Sequence, residues 1–291
     1  MIKIITDSAS DIPKEYENKY NIEIMPIPIT IGEQTYYERR DFNSMEFYDI
    51  LSQSDILPVT SHITMAEIQK RYKKAYEDGY DEIIHISLTS TGSNMFQSAL
   101  MAKKLFYDSN VSLKDKIKIY TIDSKTYSYA YGRAVVKAAQ MVTQGKTCIQ
   151  IINYLEDYFN RVELYFSVYS LEYAKKSGRI TIAATFIGEA LGLRPIISMI
   201  DGQMKIVGRV RGDKKIPDEL ASKVKTNIDK EIDNEYCILV GKLENEDMII
   251  NQIKQTCTPQ NCIDIFKLGA SILINSGPQT LGVSFMGKKR N

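Results

Sequence analysis

A short apolar run, a hydroxyl-rich loop and a helix follow one another between residues 82 and 105, and that unit constrains the fold more than any other stretch. Glu82-Ile83-Ile84-His85-Ile86 is brief and almost wholly apolar, the signature of a strand buried on both faces. Met95, Phe96, Ala99, Leu100 and Ala102 then recur at helical spacing up to Leu105. Between them, Ser87 to Ala99 holds six Ser/Thr side chains, one glycine and no charge. Ser93 or Asn94 is placed to cap the helix. A helix N-terminus offers unpaired backbone N–H groups and the positive end of a dipole, so this loop can receive an anionic group. No G-x-x-x-x-G-K-[ST] pattern occurs, so a singly charged head group suits it better than a triphosphate.

The same chemistry recurs at other strand ends. Ile2–Thr6 reads as a strand ending in Asp7-Ser8, and Lys116–Ile122 as one ending in Asp123-Ser124. Thr60-Ser61 stands just before Thr64-Met65-Ala66-Glu67, a capping box that opens a helix running to about Gly79. In open α/β sheets ligands gather at the carboxyl ends of strands, so hydroxyls at several such ends mark a site. Ile22–Ile31 carries Pro26 and Pro28, which place it at a sheet edge or in an extended crossover. Strand and helix alternate to about residue 145, which predicts a mainly parallel sheet with flanking helices.

Beyond about residue 161 the pattern changes to a helix-covered sheet with antiparallel pairs. Arg194–Ile200 and Gln203–Arg209 flank Asp201-Gly202, a dipeptide suited to the positive φ angles of a two-residue hairpin turn. An apolar helix is expected over residues 182–191. With 291 residues, an α/β chain of two domains is expected, 1–160 and 161–291.

Composition excludes several classes. The net charge is +1 and the pI about 7.5, which argues against a broad nucleic-acid footprint. Four scattered cysteines without a C-x-x-C, and two histidines, give no zinc pattern and suit a reducing cytoplasm. No run reaches the roughly 18 apolar residues of a membrane span, and the N-terminus lacks a signal-peptide pattern. No cofactor or metal is expected.

Several motifs in order resemble the DegV family of fatty-acid-binding proteins that serve fatty acid kinase. Thr6-Asp7-Ser8-Ala9-Ser10-Asp11-Ile12 resembles T-D-S-x-x-D-L, and Pro58 to Thr64 resembles P-T-T-S-Q-P-S. Ser93 to Ala99 resembles the end of S-S-x-L-S-G-T-Y-Q-S-A. Asp123-Ser124 with Ser128 and Gly132, Lys175 to Ile180, Leu191 to Ile197, and Asn275 to Gln279 match later motifs. The resemblance covers nearly the whole chain. It implies two α/β domains with a lipid tunnel between them. It also implies that a long-chain fatty acid such as palmitate is held by its carboxylate and presented to a separate kinase. Carried over residue by residue, Thr60, Ser61, Ser93 and Asn94 would contact the head group, and His62, Arg211 and Asn275 the head group or the partner. His62 replaces the family's Gln, Asn275 its His and Gln279 its second Gly, and the Ser87–Ser93 loop is longer; all fall at the head-group end.

Competing readings are weaker. An enzyme of phosphoryl or acyl transfer built on the Ser/Asp strand ends would want nucleotide-binding glycines or a His–acid pair. His62 beside Ser61 lacks an orienting acid. Asp7 and Asp123 suit orienting the hydroxyl loops better than holding Mg²⁺. His85 reads as a satisfied core residue, and Arg179 as a helix-end residue paired locally. With no cation in the Ser87–Asn94 loop, tail burial should dominate affinity. At about 0.8 kcal/mol per methylene, a sixteen-carbon tail contributes on the order of 12 kcal/mol gross. Shortening the ligand to eight carbons should therefore cost more affinity in calorimetry than deleting any single hydroxyl; equal binding of octanoate and palmitate would mean there is no long tunnel.

Overall fold

The computed structural model describes residues 1–53, 56–180 and 192–290. The helix expected over 182–191 lies outside them. In the first half, β1 (Ile2–Asp7), α1 (Lys14–Lys19), β2 (Glu23–Met25), β3 (Pro28–Ile31), β4 (Gln34–Tyr37), α2 (Ser44–Gln53), β5 (Val59–Thr60) and α3 (Met65–Glu77) lead into β6 (Glu82–Ser87), α4 (Met95–Ser109), β7 (Lys118–Asp123), α5 (Tyr129–Thr143) and α6 (Cys148–Phe159). Then come β8 (Val162–Val168), α7 (Glu172–Ser177), β9 (Leu193–Ile200), β10 (Gln203–Arg211), α8 (Ile216–Asn227), β11 (Glu235–Val240), α9 (Glu246–Cys257), β12 (Asn261–Lys267), α10 (Ala270–Ser276) and β13 (Thr280–Met286).

The expected architecture is present. Strands β2-β1-β6-β7 form a wholly parallel sheet. Strands β10-β9-β8-β13-β11-β12 form a second, antiparallel except for the β11–β12 pair. Asp201 and Gly202 take φ of 50° and 75°, and the hairpin they close pairs Gln203 with Ile200. Pro26 falls between β2 and β3, outside both strands, and Pro28 opens β3. β2 is the edge of the parallel sheet, whereas β3 is the centre of a small antiparallel sheet, β4-β3-β5. Pro28 is tolerated there because it opens the strand.

Side-chain alternation explains how the six-stranded sheet is covered. Tyr165, Ile196, Tyr236, Ile238, Val283 and Phe285 point to one face and pack with Leu220, Val224 and Ile253 of α8 and α9. The alternate residues Leu164, Phe166, Ile197, Met199 and Leu239 point to the other face and join the core that contains Ile4, Ile5, Ile84 and Tyr131. One apolar layer therefore spans both sheets.

Buried carboxylates pin that layer. Asp11 accepts from the Gly269 N–H at 3.0 Å and from Ser128 Oγ at 2.5 Å. Glu38 accepts from the Ser271 N–H at 3.1 Å, from Ser271 Oγ at 2.7 Å and from Ser8 Oγ at 2.5 Å. Both acids thus sit at the positive start of α10 and tie residues 8–38 to residues 269–271. Gly269 admits them: a Cβ there would lie 2.5 Å from Asp11 Oδ1 and 2.6 Å from Glu38 Oε1. Burial, and then the neighbouring Glu38, holds the Asp11 carboxyl well above the ordinary range.

Asp7 is fully buried and accepts from the Leu88 N–H at 2.9 Å and Tyr131 Oη at 2.7 Å. Burial outweighs these bonds and lifts its carboxyl to about 6. Its folded value exceeds the unfolded one, so its stabilising effect is complete below pH about 3.8 and is lost as pH rises through about 6. Buried His85, depressed to about 3, acts oppositely in the same window, so the Asp7 effect shows in a difference. Between pH 4 and 7, wild type should lose on the order of 2–3 kcal/mol of unfolding free energy relative to Asp7→Asn. Urea titrations with the same pH slope for both proteins would contradict this assignment.

Candidate functional site

The parallel order β1-β6-β7 brings the three hydroxyl-bearing strand ends side by side. Their acids serve the loops. Besides Asp7 on Leu88, Asp123 accepts from the Ser90 N–H at 3.0 Å, from Ser90 Oγ at 2.5 Å and from the Lys125 N–H at 3.0 Å. The hairpin turn of the second sheet docks on the same loops, with the Gly202 N–H donating to Lys125 O at 3.0 Å. His85 is engaged by Tyr72 Oη at 2.7 Å and lies near Ser87 Oγ at 3.3 Å, a satisfied core residue.

Between these loops and the inner face of the six-stranded sheet lies a cavity of about 280 Å³. Leu164, Phe166, Met204 and Leu239 come from the sheet, facing Ile27, Leu88, Met95 and Leu268. Among its described lining residues there is one arginine, Arg179, and no lysine, aspartate or glutamate.

The polar groups of the lining fall into two sets. Along α10 and its neighbours the side-chain donors are already engaged. Ser271 Oγ donates to Glu38, Ser276 Oγ to Ile272 O at 3.1 Å, Thr280 Oγ1 to Gly277 O at 2.9 Å, and Ser128 Oγ to Asp11. Asn275 Nδ2 donates to Ser271 O at 2.7 Å. In contrast, the side chains of Thr60, Ser61, His62, Asn94, Tyr127 and Arg179 make no hydrogen bond or ion pair to the described residues. Ser93 Oγ accepts from the Met95 N–H at 3.3 Å and keeps its own O–H free to donate.

These free groups are contiguous. The Ile63 N–H meets Met95 Sδ at 3.2 Å, which joins the loop after β5 to the start of α4. Tyr127 Oη sits over Gly92, where a Cβ would lie only 1.8 Å from it. Arg179 is close enough to Tyr127 to pull its phenol downward, although burial prevails and lifts it to about 12, leaving it a proton donor at neutral pH. Ser61, His62, Asn94 and Arg179 are exposed, so this end of the cavity meets solvent. The arrangement suits a molecule with an apolar body and one anionic end.

Of the residues singled out from sequence, Thr60, Ser61, His62, Ser93, Asn94 and Asn275 all line the cavity. Arg211 does not line it; it is exposed at the end of β10, opposite Leu193. Asn94 is the helix N-cap but makes no side-chain capping bond. Two residues escaped the sequence reading. Arg179 turns toward the cavity instead of pairing locally, because Gly178 in the left-handed conformation ends α7 just before it. Tyr127 had no signal beyond its place in the loop after β7.

The family model described as an uncharacterised protein of the DegV family matches residues 1–288. The chain belongs to the DegV family. A DegV domain-containing protein of Clostridium perfringens is 31% identical over 287 residues, covering 98% of both chains. Two solved structures of the fold cover 99% of both chains. One is a stearic acid-binding protein from Eubacterium ventriosum, 25% identical with a TM-score of 0.89. The other is DegV of Bacillus subtilis, a fatty acid binding protein, 27% identical with a TM-score of 0.80. If a long-chain carboxylate fills this cavity with its anionic end at the rim, Arg179→Gln should weaken its binding by about 1 kcal/mol, roughly fivefold in Kd, and leave the matching fatty alcohol unchanged. Calorimetry showing equal losses for both ligands would remove Arg179 from the head-group end.

Proposed function

We propose that this chain binds a long-chain fatty acid such as palmitate, with its tail in the cavity and its carboxylate among Thr60, Ser61, Ser93, Asn94 and Arg179. One observation carries the reading: an apolar cavity in which, among the described lining residues, the unengaged donors and the one arginine gather at the solvent-facing end. Burial of methylenes supplies most of the affinity, while the hydroxyls and the exposed α4 N-terminus fix which end faces out. The engaged donors along α10 cost nothing to cover with a tail, since no buried donor loses a partner. His62 flanks the head group, whereas Asn275, its amide engaged by Ser271 O, belongs to the α10 wall.

The open rim at the head-group end supports a reading in which a second protein reaches the carboxylate. We infer a carrier, not an enzyme, that presents the carboxylate to a separate cytoplasmic fatty acid kinase for acyl-phosphate formation, with Arg211 on the partner-facing surface. We also propose residues 1–160 and 161–291 as its two domains. Both Asp7 and Asp123 engage backbone N–H groups, which supports orienting loops over phosphoryl transfer.

Native mass spectrometry of the purified protein should find an added mass in the fatty-acid range. Thr60→Ala and Ser93→Ala should each weaken binding by about 1.5–3 kcal/mol in calorimetry. The protein with fatty acid and ATP should make no acyl phosphate until a fatty acid kinase from the same cell is added. Turnover by the isolated chain would support the enzyme reading, and unchanged affinity in both variants would remove the head-group assignment.

A further inference from the structure

Strand β13 is unequal on its two faces. Leu281, Val283 and Phe285 fill the core beneath α8 and α9, whereas the alternate positions Thr280 and Gly282 line the cavity. Gly282 stands opposite Phe166 of β8 and opposite Leu239 of β11. All three line the cavity, so one row across the sheet presents an aromatic ring, no side chain, and a leucine. The result is a slot one residue wide at Gly282, bounded along β13 by Thr280 and Ser284.

Backbone conformation does not explain the glycine, because Gly282 is absent from the positive-φ positions. A Cβ built there would lie 3.1 Å from the backbone Tyr165 O and 3.2 Å from Phe166 Cβ, tighter than a Cβ ordinarily packs, so a side chain at 282 needs β8 to give by a few tenths of an ångström. Glycine inside a fully buried strand weakens that strand and marks close approach of another backbone or a ligand; at Gly282 β8 approaches on one side and the cavity lies on the open face. The slot offers an unbranched tail the sheet surface itself, with Phe166 and Leu239 as side walls.

We propose that Gly282 sets the length of acyl tail this chain accepts, by leaving the cavity floor open between Phe166 and Leu239. This rests on the fatty-acid reading above and deepens it. A branched side chain at 282 fills the slot and excludes the distal methylenes, while the head-group end stays as it is. Ligands too short to reach the slot are indifferent to the change.

The test is calorimetric titration of wild type, Gly282→Ala and Gly282→Val with octanoate, laurate, palmitate and stearate, with circular dichroism melts of each protein alongside. Wild-type affinity should climb along the series. In Gly282→Val, octanoate should stay within about twofold of wild type while palmitate and stearate lose about tenfold or more, because buried methylenes are lost. Gly282→Ala should fall between, and it carries the test with stearate if the valine variant does not fold. Wild-type palmitate affinity in both variants would overturn the proposal, as would equal losses for octanoate and palmitate. If wild type binds none of the series, the fatty-acid reading fails before Gly282 is at issue.

Discussion

Asp11 and Glu38, buried at the first turn of α10, are the contact on which the rest of the structure depends. An unpaired buried carboxylate is costly, so these two are stable only while Gly269 and Ser271 supply N–H and hydroxyl donors. The same contact places α10 against the cavity, where it contributes Ser271, Asn275 and Ser276 to the lining. Carboxylate burial thus couples the geometry of the N-terminal loops to the wall of a cavity whose opposite side is the six-stranded sheet.

That coupling accounts for the division of polar groups. Donors on α10 are committed to holding the helix and to its own carbonyls, so the wall they form behaves as apolar surface. The lining side chains of Thr60, Ser61, His62, Asn94 and Tyr127, by contrast, have no hydrogen-bond partner among the described residues. A ligand with one charged end is oriented by that difference alone. Arg179 adds the only arginine charge among the described lining residues, and its exposure limits how much it strengthens binding.

Much of this was legible in the chain. The buried run at 82–86 and the Asp-Gly turn are local signals, and each element formed where its spacing placed it; at Thr64 only the hydroxyl half of the expected capping box formed, because the Glu67 carboxylate pairs with Arg71 instead. Thr60, Ser61, Ser93 and Asn94 were readable because hydroxyls and amides before a helix have a defined local role. The prolines of 26 and 28 were informative only in part, since a strand opening with proline can be central in a small sheet as well as marginal in a large one. Tyr127 and Arg179 were not readable. Nothing in the neighbours of a loop tyrosine says which glycine it will cover, and Arg179 follows a left-handed Gly178 that turns the chain toward a wall far away in sequence.

Sequence alone determined the period of each element, the alternation that makes the first sheet parallel, and the chemistry available at the strand ends. These are properties of neighbouring residues, fixed by backbone sterics and local hydrogen bonding. Only the tertiary structure decided which hydroxyls remain free, that Asp11 and Glu38 share one helix start, and that Gly282 falls between Phe166 and Leu239. Those outcomes depend on register between strands distant in the chain, and register is settled by burying one face of a sheet against another.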